Sequence, residues 1–268
     1  MKSDKIDSSV LSDLLRANLI VKSYVPPQDI REIRTLLRQR ETLVRSRTMI
    51  KNRVHATLAS YSIRSEYSDI FGKQGLEWLN NLDVPSNLRL ILDTELSQLN
   101  NLNTNIERID SEIASNASKD PRVERLMGFT GMDFYTAMVL IYEIGDVSRF
   151  PNPKKLVAWA GLAPSLHQSG KVNRTGSITK QRNKWVRWIL VQAAHRAAHN
   201  DDPKLEPFFE RIARKKGNQK AIVAVARKLL VSVYFVLSKN ELYRGDRADI
   251  RERKLKRLHE RTDNGLHA

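Results

Sequence analysis

The chain has 268 residues, room for one large domain or two small ones with a real core. Lysine and arginine outnumber aspartate and glutamate by 46 to 30, a formal net charge of +16; this points first to nucleic acid and only then to an anionic membrane surface. Cysteine is absent, which excludes disulfides, thiolate zinc sites and cysteine nucleophiles. The N-terminus is polar and charged, unlike a signal peptide, and no stretch reaches about 18 uninterrupted apolar residues, so no membrane partner and a cytoplasmic location are expected.

Residues 1–20 read as a helix beginning almost at Met1. Asp4 and Asp7, three apart, share a face; they can hold a divalent metal or simply favour the positive end of the helix dipole. Pro26-Pro27 stops this helix. A long helix follows from Asp29, a plausible N-cap, to about Tyr61, a rod of roughly 50 Å. Ile30, Ile33, Leu36, Leu37, Leu43, Val44, Ile50, Val54 and Leu58 form its apolar stripe. Arg31, Arg34, Arg38, Arg45, Arg47, Lys51 and Arg53 cover much of the rest, opposed by Glu32 and Glu41. That face reads as tracking nucleic acid, the alternative being solvated surface.

Residues 62–83 are irregular, with a short helix around Leu76–Leu82. Pro85 starts a second long helix to about Ser118. Leu92, Leu99, Ile106 and Ile113 repeat every seven residues, with Leu88, Leu102 and Ile109 in the alternate row and Glu95 and Asn116 interrupting it. This is a coiled-coil seam. It can pair the two rods as an antiparallel hairpin or join two copies of the chain.

A compact domain begins at Lys119-Asp120-Pro121. A short helix at Val123–Met127, a glycine turn at Gly131 and a helix starting near Phe134 make a helix-hairpin-helix-like pattern, whose backbone amides can face a phosphate. Asp133 stands where such hairpins often have a second glycine. Glu143 and Asp146 read as a helix-end cluster satisfied by Arg149, the alternative being extra acidic ligands.

The stretch from Arg149 to Ala198 carries the chemistry. A loop held by Pro151 and Pro153 leads to a short apolar helix, Leu156 to Ala160. Beyond a Gly161–Pro164 turn lie about fifteen polar residues with Ser165, Ser169, Ser177 and Thr179, expected as a polar loop or short hairpin. A basic helix with Trp185 and Trp188 follows from about Asn183. The hydroxyls sit among Lys171, Arg174, Lys180, Arg182, Lys184 and Arg187, a phosphate-seeking neighbourhood; the bland alternative is a solvated loop. The tryptophans are expected to anchor the loop to the core, or one to stack on a base. His195 and His199 have metal-ligand spacing without a third ligand nearby.

Leu205 to about Lys216 is a helix with Gly217 as C-cap. The apolar helix from Lys220 to Leu237 has Arg227 and Lys228 in its middle and reads as a core helix. Residues 241–268 are charged, mostly basic, and expected as a helix that frays into a disordered end. The fold class expected is mainly α: a long coiled-coil hairpin, then a compact helical domain. The divisions are 1–25, 26–118, 119–240 and a basic tail at 241–268.

The run from Phe129 through Ala194 resembles the C-terminal domain of the insertion-sequence-110 family of transposases, through GMDFYTA, EIGDVSRF, KKLVAWAGLAPS, QSGK and SITK…VRWILVQAA. KSDKID at the N-terminus resembles the end of that family's acidic, RuvC-like domain, and the paired rods match the helical region between. The resemblance implies a recombinase that cuts and joins DNA, works as a multimer and is guided by a structured RNA. It also implies a magnesium-binding set of acidic residues and a serine that attacks the phosphodiester. By position Asp4 and Asp7 match the last two acidic residues and Ser169 matches the serine, with Ser165 and Ser177 as rivals. Serine needs a deprotonating partner or a strong positive field, and Lys171, Arg174 and Lys180 can neutralise a pentacovalent phosphate. The family's first acidic residues lie upstream of KSDKID, so a truncated and inactive product is one expectation. Arg182 stands where the family usually has glycine. The alternative reading is a non-catalytic basic module binding structured RNA or DNA.

Overall fold

The computed structural model describes residues 4–19, 24–169, 172–178, 183–199 and 202–266. Among them are eleven α-helices, α1 to α11, and one two-stranded hairpin, so the chain is mainly α as expected. Helix α1 spans Asp4–Arg16, with Asp4 and Asp7 in its first turn. Helix α2, Gln28–Ser60, starts one residue before the proposed cap. Pro27 holds the N-cap position with no side-chain hydrogen bond, and Asp29 falls within the first turn, where its charge meets the positive end of the helix.

Helices α2 and α4 (Ser86–Ser118), each of 33 residues, form one antiparallel arm. Its direction is fixed by cross-pairs that run opposite ways along the two rods: Arg40 with Asp110 at 2.8 Å, Arg47 with Asn103 at 3.5 Å and Arg53 with Gln98 at 3.2 Å. Leu88, Leu92, Leu99, Ile106 and Ile113 are all 4% exposed or less, and on α2 Leu37, Ile50, Val54 and Leu58 are buried too. The seam that could have joined two chains is closed within one. Helix α3, Lys73–Asn80, caps the far end of the arm, where Ile70, Leu79, Val54, Leu58, Leu88 and Leu92 make a small core of their own.

The main core lies at the near end. Helix α6 (Phe134–Ile144) is buried on nearly every side, as a helix apolar all round must be. Helices α5 (Pro121–Met127), α8 (Lys184–Ala198) and the near part of α2 pack on it. Helix α10 (Asn218–Lys239) packs against α7 (Pro153–Trp159), α8 and α9 (Leu205–Lys216). By length and composition α10 is apolar enough to cross a membrane. Ala221, Ile222, Val225, Ala226, Leu229, Leu230, Val233 and Val236 are instead buried in the protein, with Arg227 and Lys228 exposed. Burying each valine, leucine or isoleucine among them stabilises by about 1.5–3 kcal/mol.

Two expectations change here. The glycine turn before α6 is used for packing: Gly131 has φ +82, and a Cβ there would come within 2.5 Å of the Ala193 carbonyl oxygen on α8. Asp133 caps α6 by accepting from the Thr136 amide at 2.8 Å, which occupies a donor the helix-hairpin-helix-like pattern offered to phosphate. The C-terminal segment carries the helix expected there, α11 (Ala248–Leu266), but it packs on α4 and α5 where fraying was expected. Lys254 Nζ donates to the carbonyls of Met127 and Phe129, both at 2.7 Å. Arg251 pairs with Glu124, Arg261 with Asp110, and Leu258 is buried. The carbonyls at and just beyond the end of α5, with Glu124 on α5 and Asp110 on α4, give this basic helix partners that composition alone does not reveal.

Candidate active site and nucleic-acid interface

The polar stretch after α7 folds as an antiparallel hairpin, β1 (Pro164–Ser169) and β2 (Val172–Ile178). In register, Ser169 faces Val172, His167 faces Arg174, and Pro164 faces Ile178, with an irregularity between Pro164 and Leu166. Ser169 therefore occupies the last register pair of the ladder, while Ser165 and Ser177 lie toward its opposite end, beside the Pro164–Ile178 pair.

Both roots of the hairpin are fastened to the core. Asn152 accepts from the Lys155 amide and caps α7, with Pro153 at its first position. At the other root the Asn183 amide reaches the Trp159 carbonyl at 3.4 Å, joining the two ends. The Asn183 carboxamide oxygen caps α8 by accepting from the amides of Trp185 and Val186. Its nitrogen donates to Glu143 Oε2 at 2.9 Å. Glu143 is 3% exposed. A buried carboxylate requires pairing, and Arg38 supplies it with two hydrogen bonds, at 2.8 and 3.0 Å. Arg34 donates to the carbonyls of Tyr142 and Glu143 at 2.6 and 2.9 Å, and burial pulls its pKa below the ordinary value.

Glu143 is thus satisfied by Arg38 and Asn183, whereas the sequence pointed to Arg149. Arg149 instead lies against three rings, Phe150, Tyr24 and Trp159, at 4.2, 4.5 and 4.9 Å, and donates to the Ile144 carbonyl. Burial lowers its pKa as well. Asp146 accepts from Ser148. Two signals could have revealed the Glu143 node: a lone glutamate in the apolar run VLIYEIG, and an asparagine standing immediately before a helix.

The sequence-predicted residues separate accordingly. Arg34 and Arg38 hold α2 to the body, so the arginine face of α2 is partly internal. Arg45 pairs with the buried Glu41 at 2.9 Å, and both Arg38 and Arg45 flank the Trp185 ring, at 5.8 and 5.6 Å. Trp185 stands edge-on to Trp188, which fits the anchoring role. Lys184 is exposed and Arg187 half-exposed at the start of α8, beside the hairpin root. Arg174 lies on β2. Lys171, Lys180 and Arg182 lie outside the described residues. Asp4 and Asp7 are exposed on α1, and among the described residues no third His, Cys, Asp or Glu joins them. His199 packs edge-on against Phe209.

The described residues thus form a helical body that carries a hairpin with Ser169 in its last register pair, in a chain of formal net charge +16. Comparison with known proteins gives the family. Residues 123–210 match the family described as Transposase IS116/IS110/IS902, and residues 1–63 match a transposase family of the DEDD type. The transposase for insertion sequence element IS1111A of Coxiella burnetii is 24% identical over 255 residues, covering 91% of this chain and 68% of that protein. A pilin gene-inverting protein of Moraxella bovis is 29% identical over 246 residues, 89% of this chain and 67% of the other. A putative transposase of Sinorhizobium fredii, 26% identical over 194 residues, is matched over 47% of its length. The chain belongs to the IS110 family of insertion-sequence transposases, which act on DNA.

Proposed function

We propose that this chain cuts and joins DNA through Ser169. The observation that carries the reading is the register position of Ser169, at the free end of a hairpin whose roots are locked into the core. In the proposed step an Oγ–P bond forms and one P–O ester bond breaks. The serine proton passes to a base, and the departing deoxyribose oxygen leaves as the new strand end. One ester replaces another, so the strand can be rejoined by reversal. Arg174, with Lys171 and Lys180, offsets charge on the pentacovalent phosphorus. Lys184 and Arg187 hold the flanking backbone as positioning cations.

A structured guide RNA is the further partner proposed, bound by exposed cations such as Arg31, Lys215, Lys216 and Lys220. Any homo-oligomer would use a face other than the α4 seam, which α2 covers. The DEDD type uses a divalent metal ion in general. Asp4 and Asp7, two carboxylates on one exposed turn, are an incomplete set for magnesium, which demands near-octahedral oxygen coordination; the step above uses only this chain's own residues.

The test uses a suicide DNA substrate with the flanking-element RNA and magnesium. A covalent protein–DNA adduct mapped to Ser169 and lost in Ser169→Ala is expected, with RNA binding retained. A second reading, a non-catalytic RNA- or DNA-binding module, is favoured by the α9–α10 turn, where Arg214, Lys215, Lys216 and Lys220 are all exposed. That reading gains if no adduct forms while salt-sensitive binding persists.

A further inference from the structure

Glu143 and Asn183 do more than satisfy each other. Arg38 belongs to the arm, Glu143 to the central helix, and Asn183 to the point where the serine-bearing hairpin rejoins the body. The three are linked in series by hydrogen bonds of 2.8, 3.0 and 2.9 Å. Asn183 uses both ends of its carboxamide: the oxygen starts α8, the nitrogen reads the Glu143 carboxylate. Trp185, the second residue of α8, has the guanidinium groups of Arg38 and Arg45 of the same arm at 5.8 and 5.6 Å from its ring. The hairpin root is therefore held to α2 by a polar link and an aromatic one. Both depend on where α2 sits.

We infer that Glu143 and Asn183 are positioning residues, which fix the hairpin end to the arm so that a shift of α2 alters the hairpin's placement. The inference rests, for its catalytic consequence, on the reading of Ser169 as the attacking group; for its structural part it does not. Releasing Asn183 strips the interior Glu143, 3% exposed, of one of its three hydrogen bonds, so the link is costly to break while Arg38 holds the carboxylate in place.

The test combines a variant that keeps the helix cap with one that restores the bond. Asn183→Asp retains a capping oxygen for α8 but removes the donor to Glu143 and sets two carboxylates together. The pair E143Q/N183D restores one hydrogen bond with donor and acceptor exchanged. Hydrogen exchange of the β1 and β2 amides is measured on the full chain, with the α10 amides as the folding control, alongside the rate of adduct formation. In N183D the hairpin amides are expected to exchange about tenfold faster while α10 is unchanged, adduct formation falls at least in step, and the double variant recovers most of both. Unchanged hairpin exchange in N183D overturns the inference, as does an equal loss of protection in α10, or no recovery in the double variant. Faster hairpin exchange with recovery, but no adduct even in the unaltered chain, upholds the positioning and removes the Ser169 reading.

Discussion

At single residues, burial decides which arginines matter. The Arg38 guanidinium faces a carboxylate only 4% exposed, whereas Arg214 and Glu210 form an i,i+4 pair with both side chains more than half exposed. Removing one partner of a buried pair strands the other charge, so Arg38→Ala is expected to cost about 2–3 kcal/mol, the low end because Arg38 itself is partly solvated. Arg214→Ala should change stability by less than about 0.5 kcal/mol. Urea midpoints at neutral pH check both; equal midpoints would contradict the ranking. Lys254 gives a pH signature. Burial pushes its pKa down to about 8 from an ordinary 10.5, so the folded chain binds fewer protons than the unfolded one between those values, and stability rises with pH across that window. Between pH 7.5 and 9.5 the urea midpoint of the unaltered chain should climb relative to that of Lys254→Met.

Among the elements, helices were legible and their partners were not. Heptad spacing in α4 and the apolar stripe of α2 located both rods to within a residue or two, because burial along a rod imposes a period on sequence. The sequence does not separate loop from strands in the hairpin, since a polar run with Ser, Lys and Arg on both sides has no alternation to mark strands. The arginines of α2 look alike in sequence, yet Arg34 and Arg38 grip α6 while Arg31 faces solvent; only the crossing of the two helices distinguishes them. Asp133 beside Gly131 suits a cap and a phosphate-repelling charge equally well in sequence; its hydrogen bond from the Thr136 amide makes it the cap of α6. Gly131 makes the clearest prediction at this scale. Gly131→Ala combines a positive φ with an overlap against the Ala193 carbonyl and should destabilise by on the order of 3 kcal/mol, loosening the α6–α8 contact. Near-native thermal stability in that variant would show that the turn can move away from α8.

In the whole molecule, charge and apolar burial are divided unequally. Helix α4 carries five acidic residues against two arginines, while α10 has no acidic residue at all, so nucleic acid is expected on the body, away from the α4 side of the arm. Replacing Lys215, Lys216 and Lys220 together by alanine should flatten the dependence of log K on log salt by up to about three units of slope; an unchanged slope would exclude that surface. The two apolar clusters, one in the body and one at the arm tip, are joined by a single narrow apolar seam of Ile50, Leu99 and Ile106, flanked by the Arg40–Asp110 and Arg47–Asn103 pairs. Cooperativity is transmitted poorly through so narrow a seam. Calorimetry should therefore resolve two heat-absorption events, the smaller near 30 kcal/mol for the roughly 45 residues of the tip at about 0.7 kcal/mol per residue. The protein would then have two melting temperatures, and the tip could come apart and reform while the serine-bearing body stays folded.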